Sequence, residues 1–337
     1  MGRIIWHFRR IEGNQICIPE EFPYFWFSNQ INCNQMDYLL ELNGVVKDYG
    51  GFRAVDQVGF NVPKSCIVGL LGPNGAGKTS LIRIITGITQ ADSGQILLND
   101  QNIYKIQDPS IGYMPEERGL YKKMKVGEQL VFLARLRGLR KEDAERSVVS
   151  WMKKFEIESW WTKKVEELSK GMSQKVQFIA TVSHNPKLII LDEPFSGLDP
   201  INTNLIKDEI IRLKNEGASI LFSTHRMEQV EEMCEHIILI NKGKVVLNGE
   251  VQAVRNQFKE HLFDVELESE YSPPEHEDFE WIPVSPKRLH VRLLGEKTSN
   301  DILHYLIQQG KSVVSFRELL PSFNEIFIKT VKEKSHE

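Results

Sequence analysis

Between residues 37 and about 262, short apolar runs alternate with amphipathic stretches. LLELNGVVKDY, just after Met36, has the pattern of a strand. CIVGLLG is apolar almost throughout and predicts a buried strand, with a glycine-rich loop and a helix behind it. VGEQLVFLARLRG spaces its apolar residues as an amphipathic helix does. KLIILDE and ASILFST are continuous short apolar runs of the kind buried in parallel sheets. HIILINKGKVVLNGE predicts a hairpin turning at Lys242-Gly243. Helices are expected from about Asn202 to Asn215 and from Met227 to Cys234. This alternation predicts an α/β domain over residues 37–262 with a largely parallel central sheet.

Both ends break the pattern. Residues 1–36 hold Trp6, Phe22, Tyr24, Phe25, Trp26 and Phe27, with Pro19 and Pro23 between them, and follow no strand or helix period. They are expected to be an N-terminal extension, disordered or not native, with Met36 as the natural start. After about Phe258 the stretch EYSPPEHEDFEWIPVSP is acidic and proline-bearing, the composition of a loop or linker. Beyond it RLHVRLL and KSVVSFREL predict strands, and SNDILHYLIQQG and PSFNEIFIKTVKE predict helices. Residues 263–337 are therefore expected to form a small α+β accessory domain.

Composition narrows the function classes. The chain has 337 residues, 41% hydrophobic and 26% charged, which suits one large domain with an appendage. A formal net charge of -4 argues against a basic nucleic-acid surface or a polybasic lipid anchor. Cys17, Cys33, Cys66 and Cys234 are scattered without a CxxC pair, as expected of reduced structural thiols. No apolar run approaches the roughly 18 residues that a membrane helix needs. MGRIIWHFRR lacks the apolar stretch of a secretory leader, and Trp6 stands where a myristoylation motif wants Ser or Thr. Membrane association would have to come through a partner.

The chemistry begins with GPNGAGKTS, Gly72 to Ser80, which fits the pattern G-x-x-x-x-G-K-[ST] between a predicted strand and a predicted helix. Gly72, Pro73, Asn74, Gly75, Ala76 and Gly77 would wrap the backbone close to phosphate oxygens, and Ser80 extends the cradle into the helix. Lys78 would reach the β- and γ-phosphates of ATP, and Thr79 would ligate Mg²⁺. KLIILDEP then places Asp192 and Glu193 at the carboxyl end of a buried strand, where ligands bind in parallel sheets. Asp192 would hold Mg²⁺ through water, and Glu193 would act as general base on the attacking water.

LSKGMSQKVQ, Leu168 to Gln177, resembles the LSGGQ signature of ABC ATPases, with Ser169 and Gly171 matching and Lys170 and Met172 departing from it. The resemblance implies that this segment caps the γ-phosphate of ATP held by an opposite subunit. Further elements resemble the family in the same order. Tyr49 lies where these proteins stack an aromatic ring on adenine. Asp199 in SGLDP lies in the loop that contacts the partner subunit, and His225 in FSTHR matches the switch histidine. IGYMPEERGLY resembles the loop that usually carries a glutamine sensing Mg²⁺ and the membrane partner, but Glu116 holds that place here.

The resemblance covers roughly residues 37–260 and implies a P-loop NTPase fold with a helical subdomain. It also implies a head-to-tail dimer, either a homodimer or a paired ABC ATPase, because the chain carries one phosphate loop and one signature. The expected role is an ATP-hydrolysing subunit that powers an integral membrane permease from the cytoplasmic face. Glu116 and the PSFNEIFIKTV tail are similar to the ABC-2-like exporter ATPases, including sodium-efflux ATP-binding proteins, so export is the expected direction. A soluble assembly factor is the rival reading, opposed by the accessory domain and the PEERGLY loop. No nucleic-acid partner is expected.

Overall fold

The computed structural model describes residues 7–11, 14–18, 37–105, 110–116 and 119–333. These fall into two units, residues 1–36 and 37–337. In the first, β1 (His7–Ile11) pairs antiparallel with β2 (Asn14–Ile18), with Phe8 opposite Cys17 and Arg9 opposite Ile16. Sequence pattern predicts no strand there, because HFRRI and NQICI are neither continuously apolar nor part of a longer alternation. The aromatic residues from Phe22 to Phe27 lie outside the described residues, as does the expectation made for them.

The second unit opens with β3 (Tyr38–Tyr49), β4 (Phe52–Pro63), β5 (Ile67–Leu71), α1 (Lys78–Ile85), β6 (Ser93–Leu98), β7 (Gln101–Asn102) and β8 (Ile111–Met114). It continues with α2 (Val126–Leu136), α3 (Lys141–Lys154), α4 (Lys170–Val182), β9 (Leu188–Asp192), α5 (Pro200–Asn215) and β10 (Ser219–Thr224). Next come α6 (Met227–Met233), β11 (His236–Asn241), β12 (Lys244–Glu250), α7 (Val251–Gln257), β13 (Leu262–Leu267) and β14 (Phe279–Ser285). The last elements are β15 (Arg288–Leu293), α8 (Ser299–Gln308), β16 (Val313–Leu319) and α9 (Phe323–Glu333).

The central sheet runs β12-β11-β5-β10-β9-β8. Its pairings are parallel except for the hairpin β11–β12. That hairpin turns through Lys242 and Gly243, both at positive φ, as a two-residue primed turn demands. The apolar runs are continuous because the sheet is covered twice. Ile67, Leu71, Ile189, Leu191, Ile220 and Phe222 face a core built with α2 to α6. Val68, Leu70, Leu188, Ile190 and Leu221 face a second core, shared with α1 and the antiparallel sheet β4-β3-β6-β7. Strands buried on both faces leave their carboxyl ends as the place where loops can meet a ligand.

The C-terminal sheet runs β14-β15-β13-β16 and is antiparallel. FEWIPVS, expected to be part of a linker, forms β14. Phe279 is buried in the local core, and β14 is an edge strand, where Pro283 costs little. α8 covers one face through Ile302 and Leu306. On the other face Asp264 accepts two hydrogen bonds from Arg288, at 2.7 and 2.8 Å, and one from Arg317 at 2.9 Å. α9 does not join this core. Its Phe323 and Ile326 are buried in the larger core with Val230 and Met233 of α6. Phe323 N–H donates to Glu231 Oε1 at 2.8 Å, and Arg255 Nε donates to the Pro321 carbonyl at 3.2 Å.

Candidate nucleotide-binding site

The loop between β5 and α1 is shaped by glycines that admit no substitute at two points. Gly77, the N-cap of α1, sits at φ 108, and a Cβ there would run into the Ala54 carbonyl. A Cβ on Gly72 would run into the Ile240 carbonyl. The loop closes on its own lysine: Lys78 Nζ donates to the carbonyls of Gly72 at 2.7 Å and Pro73 at 3.1 Å. Ala76 N–H bonds the Pro73 carbonyl at 3.1 Å, and Gly243 N–H bonds the Ala76 carbonyl at 2.8 Å. Pro73, Asn74, Gly75 and Thr79 are exposed, and Ala76 is buried beneath them. Lys78, Thr79 and Ser80 open the helix, so their N–H groups have no acceptor within it. Oriented donors, a helix N-terminus and an ammonium group together suit a polyphosphate.

Three carboxylates share the field of Lys78. Burial lowers the Lys78 pKa, against the upward pull of Asp192, Glu193 and Glu116. Asp192 ends β9 and is buried; its pKa is raised, first by burial and then by the charges of Glu116 and Glu193, with Ser223 and Lys78 opposing. Asp192 Oδ2 has no hydrogen-bond partner in the protein. An exposed Glu116 follows β8, and Glu117 and Arg118 beside it lie outside the described residues.

Glu193 sits at φ 50, an uncommon conformation for a non-glycine residue, with its N–H bonded to the Ser223 carbonyl at 2.9 Å. Glu193 Oε1 accepts from the His225 N–H at 2.8 Å and lies 2.6 Å from His225 Nδ1. Thr224 Oγ1 reaches Glu193 Oε2 at 3.3 Å. With Nδ1 protonated the imidazole donates to the carboxylate, so residues 32 apart in sequence form one hydrogen-bonded pair. Thr224 and Ser223 were not singled out in the sequence because their part depends on the parallel pairing of β9 with β10.

The other elements take up neighbouring positions. Ser169 is the N-cap of α4 and accepts from Met172 N–H at 3.2 Å. Gly171 faces the Gly197 carbonyl, and the Lys170 side chain lies across Gly197, so the signature packs on the loop after Glu193. Asp199 caps α5, accepting from Asn202 N–H at 2.9 Å, with Pro200 opening the helix. Tyr49, at the end of β3, is 45% exposed, with Lys47 Nζ 5.5 Å from its ring centre. Lys78, Asp192, Glu193, Glu116 and His225 are thus brought together, the signature adjoins them through the loop after Glu193, and Tyr49 stands at the end of β3.

Comparison with known proteins identifies the family of the fold. Residues 55–196 match the ABC transporter family, and residues 249–331 match the C-terminal domain of DrrA1-3-like ATP-binding proteins. The ABC transporter ATP-binding protein YhaQ of Bacillus subtilis is 42% identical over 87% of this chain and 98% of its own. The lipopolysaccharide export system ATP-binding protein LptB of Escherichia coli K12 is 33% identical over 62% of this chain and 90% of its own. A solved ATP-binding subunit of an ABC transporter superposes with a TM-score of 0.62 at 31% identity, covering 65% of this chain and 93% of that one. The chain belongs to the ABC transporter ATP-binding proteins and is the ATPase subunit of such a transporter.

Proposed function

We propose that the chain hydrolyses Mg²⁺-ATP at the Lys78–Asp192–Glu193 cluster and passes the work to a separate integral membrane permease, in the direction of export. The observation that carries the chemistry is the Glu193–His225 pair, a carboxylate aimed and held beside a phosphate loop. Glu193 takes the proton of the attacking water. His225 holds that carboxylate in place and brings its ring to the transferring phosphoryl group. Lys78 exchanges its two loop carbonyls for the β- and γ-phosphates.

Mg²⁺ fits the donors present. The unpartnered Oδ2 of buried Asp192, the exposed Thr79 hydroxyl and Glu116 are all hard oxygen groups. Among the described residues no three acidic, His or Cys side chains converge as a cage. A nucleotide-bound Mg²⁺ needs only one or two protein ligands, with phosphate and water completing its shell. When bound, the ion supplies charge neutralisation between the phosphates.

Asp192→Asn tests this role of Asp192. A carboxyl whose pKa is raised on folding has its full stability below its ordinary value of 3.8 and loses stability as pH rises through the folded value. At pH 7 the variant is therefore expected to melt higher without nucleotide, by about 1 kcal/mol or ~2–4 °C. That gain should vanish near pH 3, and Mg²⁺-stimulated hydrolysis should be lost. Calorimetry at the two pH values, together with an ATPase assay, checks both.

Ser169, Gly171 and Asp199 then serve the opposite copy in a head-to-tail dimer, whether a homodimer or a pair with another ABC ATPase, and Tyr49 stacks on adenine. Among the described residues no helix is long and apolar enough to cross a membrane, and in this reading the separate permease holds the chain at the cytoplasmic face. That LptB belongs to a lipopolysaccharide export system supports export. No nucleic-acid partner is proposed, in keeping with the net charge of -4. The test is recovery of partners on Glu193→Gln protein, with ATP, from native membranes in mild detergent. A multi-span membrane protein is the expected catch; soluble partners alone would move the reading to an assembly factor.

A further inference from the structure

One face of α4 carries two buried amides, Gln174 and Gln177, one helical turn apart. Gln174 Nε2 donates to the Pro194 carbonyl at 2.8 Å, directly after the catalytic Glu193. Gln177 Nε2 donates to the Pro115 carbonyl at 2.7 Å, directly before Glu116. β8 ends at Met114, so Pro115 and Glu116 have left the sheet ladder, and Pro115 has no N–H of its own. The Gln177 amide thus ties this loop to a rigid element. That element begins at Ser169, the residue that caps α4 and heads the signature.

We propose that Gln177 is a positioning residue, which holds Glu116 at the metal end of the nucleotide site and makes Glu116 move with α4. The proposal rests on the reading of Glu116 as a group acting on the metal. A helix gripping both acidic loops lets a displacement of the signature reach Glu116 through one hydrogen bond and the Glu193 backbone through another. Gln177 is only 4% exposed, so its amide is not a surface group free to trade this carbonyl for water.

The test is Gln177→Met, which conserves length and helix propensity but removes the donor. Mn²⁺ binding is followed by the electron paramagnetic resonance signal of free Mn²⁺, in the presence of a non-hydrolysable ATP analogue. The variant is expected to bind Mn²⁺ about 10-fold more weakly. Its affinity for the analogue without metal should stay within about 2-fold, and its thermal midpoint within a few degrees. Gln177→Asn, which keeps the amide one methylene short, should fall between wild type and Gln177→Met. It also serves as the readout if Gln177→Met does not fold.

In a Glu116→Ala background Gln177→Met should add nothing, since both changes remove the same effect. Full additivity, or unchanged Mn²⁺ affinity in both Gln177 variants, would overturn the proposal. Unchanged Mn²⁺ affinity in Glu116→Ala alone would remove the metal reading of Glu116 and the proposal with it; that failure is told apart because it appears without touching Gln177.

Discussion

Glu193→Gln is expected to lower the ATPase rate by about 10²–10⁴-fold, the usual worth of a positioned general base, while ATP still binds. The substitution is mild in this structure. The amide oxygen can keep the hydrogen bond from His225 N–H that the carboxylate accepts at 2.8 Å. The amide NH₂ then takes the place of Oε2 and faces Thr224 Oγ1, which can accept from it. Position, volume and the φ of 50 are retained, so the thermal midpoint should stay within about 2 °C of wild type. What is lost is the ability to take a proton from water. Bound ATP then persists, and the nucleotide-bridged dimer accumulates instead of reopening. Steady-state phosphate release together with sedimentation in ATP measures both, and an undiminished rate would remove Glu193 from the base role.

Gly77→Ala is expected to weaken ATP binding by about 100-fold, which is ~2.7 kcal/mol, and to destabilise the fold as well. Two costs combine. Alanine at φ 108 carries backbone strain of about 1–3 kcal/mol. The new methyl group also runs into the Ala54 carbonyl, which is backbone and cannot rotate aside. Ala54 belongs to β4, whose Asp56 N–H bonds the Gly243 carbonyl at 2.8 Å, while Gly243 N–H bonds Ala76. Relief of the clash must therefore shift the phosphate loop, the β11–β12 turn or the β3–β4 hairpin that carries Tyr49. Gly75→Ala is the matched control: its φ of 79 also strains alanine, but nothing lies within 4 Å of the added methyl. Calorimetric titration with ATP and thermal unfolding of the two variants should separate strain from collision.

Much of the site was legible because its parts are local. A phosphate loop needs glycines at fixed offsets, then lysine and a hydroxyl at the head of a helix, all within nine residues from Gly72 to Ser80. Asp192 and Glu193 close a short apolar run of the kind buried in parallel sheets. The helix expected from about Asn202 starts slightly earlier, at Pro200, where Asp199 caps it. The hairpin at Lys242-Gly243 follows from two residues that tolerate positive φ.

Tertiary structure alone decided which of these parts meet. The Glu193–His225 pair depends on β9 and β10 lying side by side in parallel register. The bond from Gln177 to Pro115 spans 62 residues and requires α4 to pack beneath the end of β8. FEWIPVS became a strand because a free sheet edge accepted a proline-bearing segment. The amphipathic pattern of α9 announced a helix but not its site. One face of the C-terminal sheet is taken by α8 and the other holds the charged Asp264–Arg288–Arg317 cluster, so α9 buries Phe323 and Ile326 against α6. By itself the sequence determined the type of the clearly patterned elements, the phosphate loop and the acidic pair, because periodicity and turn chemistry act over a few residues. Sheet order, the gripping of Glu116 by α4 and the docking of α9 came only with the fold, because those contacts are settled by competition among apolar faces and unpaired polar groups far apart in the chain.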